Sequence, residues 1–138
     1  MMNLIKEILL CLPLIVIFIV TQGETQELDP PPTTKHCEKE IVKKLFAIAK
    51  EKYPHLELDE KLCVGSQRWA DHLAKTGQFK HDKNVAENIA RGYRSCKSCM
   101  QGWFRSRGHN AQFRSRKFVG FGEAVSRNGQ RIWVSRFR

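Results

Sequence analysis

No apolar run in this 138-residue sequence is long enough to span a membrane. The longest run, residues 8–20, has thirteen residues, whereas a transmembrane helix needs about 20. Thr21, Gln22 and Gly23 follow it and offer small residues where a signal peptidase cleaves. The sequence therefore predicts a signal peptide over residues 1–23 and a secreted, extracellular protein. An uncleaved membrane anchor is the alternative.

The short motifs of several common enzyme classes are also missing. The sequence contains no nucleophile elbow, no zincin helix and no phosphate-binding loop, and it has no internal repeat. Its length allows a single domain with a real core. These features favour a binding domain over an enzyme.

Acidic residues are scarce in the C-terminal part of the chain. Residues 91–138 hold twelve lysines and arginines against one acid, Glu123, and the whole chain has a net charge of +10. This imbalance predicts attraction to a polyanion, such as a sulfated glycan or an anionic membrane surface. A solvated surface without a partner is the alternative. Nucleic acid is disfavoured because no nucleic-acid-binding module is present. The candidate polyanion-binding residues are Arg105, Arg107, Arg114, Arg116 and Lys117.

Four cysteines remain after the predicted signal peptide, and an even number in a small secreted chain implies two disulfide bonds. Cys37 precedes the first predicted helix and Cys63 lies early in the second, so we expect a Cys37–Cys63 bond, with Cys96–Cys99 as the other. Pairing of Cys63 with Cys96 or Cys99 stays open. The Cys96-x-x-Cys99 spacing at a helix start also admits a redox function.

Hydrophobic periodicity and turn residues predict the element order. A proline-rich linker over residues 24–34 precedes a domain over residues 35–138. Asn128-Gly129 is typical of a β-hairpin turn, and Gly120 with Gly122 indicates a close backbone approach or a bulge. The helices are predicted over residues 38–52, 59–76 and 96–106, and the strands over residues 118–125 and 131–137.

The central stretch carries four short motifs in a specific order. It reads Phe79-Lys80-His81, then Ala86-Glu87-Asn88-Ile89-Ala90, then Trp103, then Ser106-Arg107-Gly108-His109-Asn110. This order resembles the CAP superfamily, whose SCP domain occurs in cysteine-rich secretory proteins, venom antigens and plant pathogenesis-related proteins, and it is most similar to the short, bacterial-like branch. The resemblance implies an α+β fold, a three-layer α-β-α sandwich with a C-terminal β-hairpin. It also implies a short helix or turn over residues 83–90 and a turn at Gly108-His109.

The same resemblance implies a central cavity lined by His81, Glu87 and His109. Family members place a second glutamate where this chain has Ser106, and Glu123 is a weaker substitute. Two imidazoles and a carboxylate suit a divalent metal such as zinc. A buried polar cluster without a metal is the other interpretation.

The function implied is an extracellular binding or defence module without turnover, and no catalytic residue is assigned. Two alternatives stay open. One is a metal-dependent, protease-like hydrolase that uses Glu87 as a base. The other is a carrier of lipid or sterol.

Overall fold

The computed structural model describes residues 36–138. The predicted signal peptide and the whole proline-rich linker lie outside the described residues. Within the described part, no helix is both long enough and apolar enough to cross a membrane.

The described chain contains four helices and four strands. A 3-10 turn, His36–Glu38, leads into helix α1. The helices are α1 Glu40–Lys52, α2 Glu60–Thr76, α3 Cys96–Arg105 and α4 Arg107–Ser115, and the strands are β1 Glu57–Leu58, β2 Ala86–Arg91, β3 Phe118–Val125 and β4 Arg131–Phe137.

Capping and turn residues mark the boundaries of several elements. The Asp59 side chain accepts a hydrogen bond from the Leu62 N–H at the start of α2, and Gly77 ends that helix with φ = 71°. Ser95 forms a capping box with Ser98 at the start of α3. Gly129 has φ = 79° in the turn between β3 and β4, so the predicted hairpin is confirmed.

The four strands form one sheet in the order β1-β3-β4-β2. β1 is parallel to β3, whereas β4 pairs antiparallel with both β3 and β2. One face buries Ile89, Ile132 and Val134 against α2. The other buries Trp133 and Phe137 with side chains of α1, α3 and α4. The predicted α+β three-layer sandwich is therefore confirmed.

Helix α2 lies unusually close to β3. A Cβ atom added to Gly120 would lie 2.2 Å from the backbone nitrogen of Cys63, and one added to Gly122 would lie 2.4 Å from the backbone nitrogen of Gln67. Ser66 completes the contact by donating a 2.9 Å hydrogen bond to the Gly120 carbonyl. The expected close backbone approach is confirmed, and no side chain fits at either glycine.

Two segments differ from their expected conformation. Residues 86–91 form strand β2 instead of a short helix or turn, because their backbone pairs with β4 along its length. The predicted Gly108-His109 turn lies instead in α4. Phe113 stabilises this helix, since its fully buried ring packs on Phe137 with the ring centroids 4.9 Å apart. β1 is a further element that the sequence did not predict.

Candidate functional site

Strand β2 carries Glu87 into the space between the sheet and α2. Glu87 lies opposite Arg136 of β4, which in turn lies opposite Gly120 of β3. Side chains of neighbouring strands in the same row share a face of the sheet. Glu87 and Arg136 therefore lie on the side that faces α2.

The Glu87 carboxylate is surrounded by donors from the protein. Its side chain is 1% exposed. Oε1 accepts a 2.8 Å hydrogen bond from the Asp82 N–H and lies 3.2 Å from His81 Nδ1. Oε2 lies 3.3 Å from Arg136 Nε, in an ionic contact without hydrogen-bond alignment. The negative charge is thus compensated within the fold.

Arg136 links this carboxylate to a second acid. Its Nη2 donates a 2.8 Å hydrogen bond to Asp82 Oδ2, and the arginine side chain is only 13% exposed. Its guanidinium lies 5.7 Å from the Trp69 ring centroid. Gly65 leaves room for it, because a Cβ there would lie 3.2 Å from Nη1. We call His81, Asp82, Glu87 and Arg136 the carboxylate cluster.

The two histidines of the motif have different surroundings. The His81 side chain is 57% exposed, whereas His109 is partly buried in α4. Burial, and then the positive charge of His81, lower the pKa of His109. Asn88 donates a 3.1 Å hydrogen bond to the His109 carbonyl, so β2 holds the backbone of this histidine in place. The two imidazoles are neighbours, but His109 makes no ion pair with Glu87.

Neither weaker candidate joins the carboxylate cluster. Ser106 lies between α3 and α4, and its hydroxyl makes no capping hydrogen bond with α4. Glu123 contacts Arg131 at 3.5 Å and lies opposite Trp133. It is three residues from Gly120, and an odd separation in a strand places it on the other face from Glu87.

The arrangement does not fit a zinc site. A catalytic zinc ion needs about three protein ligands, and no group of three or more histidine, cysteine, aspartate or glutamate residues within positions 36–138 is placed to hold a metal ion. Both oxygens of Glu87 already face protein donors.

The four cysteines within residues 36–138 are thiols in the structure, so both disulfide bonds stay predictions. The Cys37 and Cys63 sulfurs face each other at 2.8 Å, which places the predicted partners together. Cys96 Sγ is directed at the Ile41 carbonyl at 4.0 Å, and Cys99 is fully buried in the core. Burial raises the pKa of both thiols of the Cys96-x-x-Cys99 pair. Because the thiolate is the reactive form, this pKa shift disfavours the redox function.

The candidate polyanion-binding residues lie in one stretch of the chain, from the end of α3 through α4 to the residues before β3, and we call this stretch the basic end. It comprises Arg105, Arg107, Arg114, Arg116 and Lys117, all of which are exposed. Lys117 contacts Glu57 at 3.3 Å. The four arginines have no carboxylate partner among residues 36–138. Arg107 and Arg114 are seven residues apart in α4, so they share a face of that helix.

Sequence reasoning missed Arg136 and Asp82. The pattern Ile132-x-Val134-x-Arg136 contained a signal, because period-two alternation places all three residues on one face of β4. An arginine on a buried strand face requires an acid nearby. Asp82 had no comparable signal, since it lies in the irregular segment before β2.

The chain is similar to a known protein family and to solved structures. The model of the cysteine-rich secretory protein family, CAP, matches residues 47–137. No curated protein sequence matches. An outer surface protein of Borrelia burgdorferi is similar with a TM-score of 0.55 and 19% identity, over 69% of this chain and 89% of that chain. Venom allergen-like protein 4 of Schistosoma mansoni is similar with a TM-score of 0.59 and 10% identity, over 72% and 88%. At these identities the two structures show a common fold.

Proposed function

The chain belongs to the cysteine-rich secretory protein (CAP) family, and from that premise we propose that it is a secreted binding module that attaches to extracellular polyanions through its basic end. The proposal includes no catalytic turnover. The observation that carries it is the set of four arginines within residues 105–116, which are exposed and have no carboxylate partner in the described part of the chain.

The position of these charges supports a polyanion over a single small anion. Residues 105–117 contain five lysines and arginines and no acid. Arg107 and Arg114 lie about two turns apart on one face of α4, roughly 10 Å along the helix axis. A repeating polyanion presents several charges over such a distance. Contact with both arginines would release counterions, so binding would weaken steeply as salt rises.

A sulfated glycan is a better partner for this surface than a nucleic acid. Single-stranded nucleic acids are bound by exposed aromatic rings on which bases stack. The aromatic residues here are occupied instead. Phe113 is fully buried, Lys52 Nζ lies 4.6 Å from the Phe104 ring centroid, and Arg138 covers Phe118 at 4.3 Å.

The carboxylate cluster supports a structural role for His81 and Glu87, which the family resemblance places in the lining of a central cavity. A general base must be free to accept a proton from a bound substrate or water. Glu87 is almost fully buried and faces Arg136, His81 and the Asp82 N–H. The hydrolase alternative therefore has no free carboxylate at this position.

One observation favours the alternative of a lipid carrier. An open groove of about 500 Å³ runs between α1 and the start of α3, with Ile41, Ala47 and Ile48 along it and Lys44 and Lys97 at its rim. Its apolar lining and basic rim suit a chain with an acidic head group. Displacement of a fluorescent fatty acid by unlabelled fatty acid would test it. An Ile48→Glu variant that binds as tightly as the parent would contradict this function.

Heparin chromatography tests the polyanion proposal. We expect the mature protein to be retained, and a variant carrying Arg107→Ser, Arg114→Ser and Arg116→Ser to elute at clearly lower salt. The slope of log affinity against log salt should also become shallower, because fewer counterions are released.

A matched variant separates a site from a general charge effect. Lys61, Arg68 and Lys80 are exposed and have no carboxylate partner in the described part of the chain. Replacing these three with serine removes the same charge away from the basic end. Equal shifts for both triple variants, or unchanged retention of the first, would contradict the proposal.

A further inference from the structure

A second basic feature lies at the other end of the sheet, around a cavity of about 370 Å³. The cavity is formed by the last turn of α2, the end of β2 and the turn between β3 and β4. Its volume falls within the roughly 300–1,000 Å³ typical of small-molecule sites. Arg91 and Glu87 lie near opposite ends of β2, so this cavity is separate from the carboxylate cluster.

Three cations from three elements line the cavity. Lys75 comes from α2, Arg91 from β2 and Arg127 from the hairpin turn, and no acidic residue lines it. All three side chains belong to exposed residues, and none forms an ion pair within residues 36–138. The C-terminal end of α2 contributes a partial negative charge, which three full positive charges outweigh. The cavity is therefore suited to an anion.

Arg91 is held in position by an aromatic ring. Its guanidinium lies 4.8 Å from the centroid of the Phe79 ring, within the distance of a cation–π contact. The N–H donors at its edge stay free for a carboxylate or sulfate. Because Phe79 restricts this side chain before any ligand arrives, binding would cost less conformational entropy.

The rest of the lining is polar with a small apolar floor. Leu73 and Ile132, both almost fully buried, form the floor. Asn128 Oδ1 accepts from the Ser126 hydroxyl and from the Gln130 N–H. The Asn128 side-chain amide donors and the Gln130 side chain have no partner in the described part of the chain. Such donors suit hydroxyl groups, and the floor suits the C–H face of a sugar ring.

We propose that this cavity binds one anionic saccharide unit, a sulfated disaccharide. An alkyl chain would need a longer apolar channel than Leu73 and Ile132 provide. A bare inorganic anion would leave the floor and the free amides unused. The site is independent of the basic end, so it can be tested separately from the function proposed above.

This site can be tested by titrating the protein with a sulfated heparin disaccharide and following the amide chemical shifts by NMR. Saturable shifts are expected at Gly77 and Gly129, which flank the cavity. Arg91→Gln and Lys75→Gln should each weaken binding by about two- to fivefold, as the loss of one exposed ion pair predicts. Arg68→Gln, an exposed position on the same helix, should leave the affinity unchanged. The unsulfated disaccharide should give no saturable shifts.

Three outcomes would overturn the site: shifts confined to α4, equal affinity for the unsulfated disaccharide, or unchanged affinity in Arg91→Gln. Shifts confined to α4 would leave the basic end as the glycan surface. Conversely, the triple serine variant at the basic end could elute from heparin like the parent protein while the amide of Gly129 still shows saturable shifts. That result would contradict the proposed function and retain this site.

Discussion

Replacing Arg136 with methionine should strongly destabilise the domain. The substitution removes the 3.3 Å contact with Glu87 and the 2.8 Å hydrogen bond to Asp82, while it keeps an apolar stem beside Trp69. Removal of one partner of a buried ion pair costs about 3–5 kcal/mol, because the other charge stays buried. Arg136 is 13% and Asp82 34% exposed, so water compensates part of the loss. We therefore expect the free energy of unfolding to fall by about 3 kcal/mol.

Urea unfolding and thermal melts at neutral pH measure this change. For a domain of this size, a loss of about 3 kcal/mol lowers Tm by roughly 10–20 °C. Adding Glu87→Gln to the Arg136→Met variant should recover at least about 1 kcal/mol, since the unpaired charge is then gone. The two substitutions should be non-additive by about 1–3 kcal/mol in a double-mutant cycle.

A small and additive effect would refute the reasoning. If Arg136→Met costs less than about 1 kcal/mol and Glu87→Gln adds to it independently, water compensates the Glu87 charge instead of Arg136. The cluster would then not be a satisfied structural unit. An increase in Tm of the unmodified protein on addition of zinc would contradict the structural role from another direction.

Three further predictions concern other parts of the domain. The lowered pKa of His109 means that the unfolded chain binds a proton at this residue more readily than the folded chain does. Stability from His109 is therefore present above about pH 6.5 and is lost as pH falls below it. His109→Gln should flatten this part of the curve of stability against pH, and an unchanged curve would contradict the assignment. Gly120→Ala should cost at least about 2 kcal/mol in urea unfolding, because the new Cβ meets the α2 backbone, whereas Gly108→Ala meets no atom within 4 Å and should not destabilise. Non-reducing peptide mapping of secreted protein should find Cys37 linked to Cys63, and free thiols at both positions would disprove that pairing.

Local signals predicted much of the fold. The boundaries of α2, α3 and the hairpin depend on caps and turns, such as Asp59, Ser95 and Gly129, whose effects extend over only a few residues. Helix α4 was missed because its first turns contain weak helix formers, Gly108 and Asn110. Its stability comes from the packing of Phe113, which involves residues distant in sequence.

The candidate site was only partly predictable, for a similar reason. The motif predicted Glu87 and the two histidines as neighbours, and the contact between His81 and Glu87 supports that part. The partner that neutralises Glu87 is Arg136, far along the chain. The pairing of β2 with β4 determines that proximity, and no local pattern encodes this register.

The two glycines of β3 also determine how the sandwich can move. Gly120 receives the peptide at Leu62–Cys63 and Gly122 the peptide at Ser66–Gln67. Two residues of strand advance about 6.6 Å and four residues of helix about 6 Å, so the strand and the helix are in step at both points. Sliding α2 by one turn would drive its backbone against a side chain of β3. The position of α2 along β3 is consequently fixed, and the two layers cannot slide past each other. The cavity at the C-terminal end of α2 therefore keeps its shape before any ligand arrives.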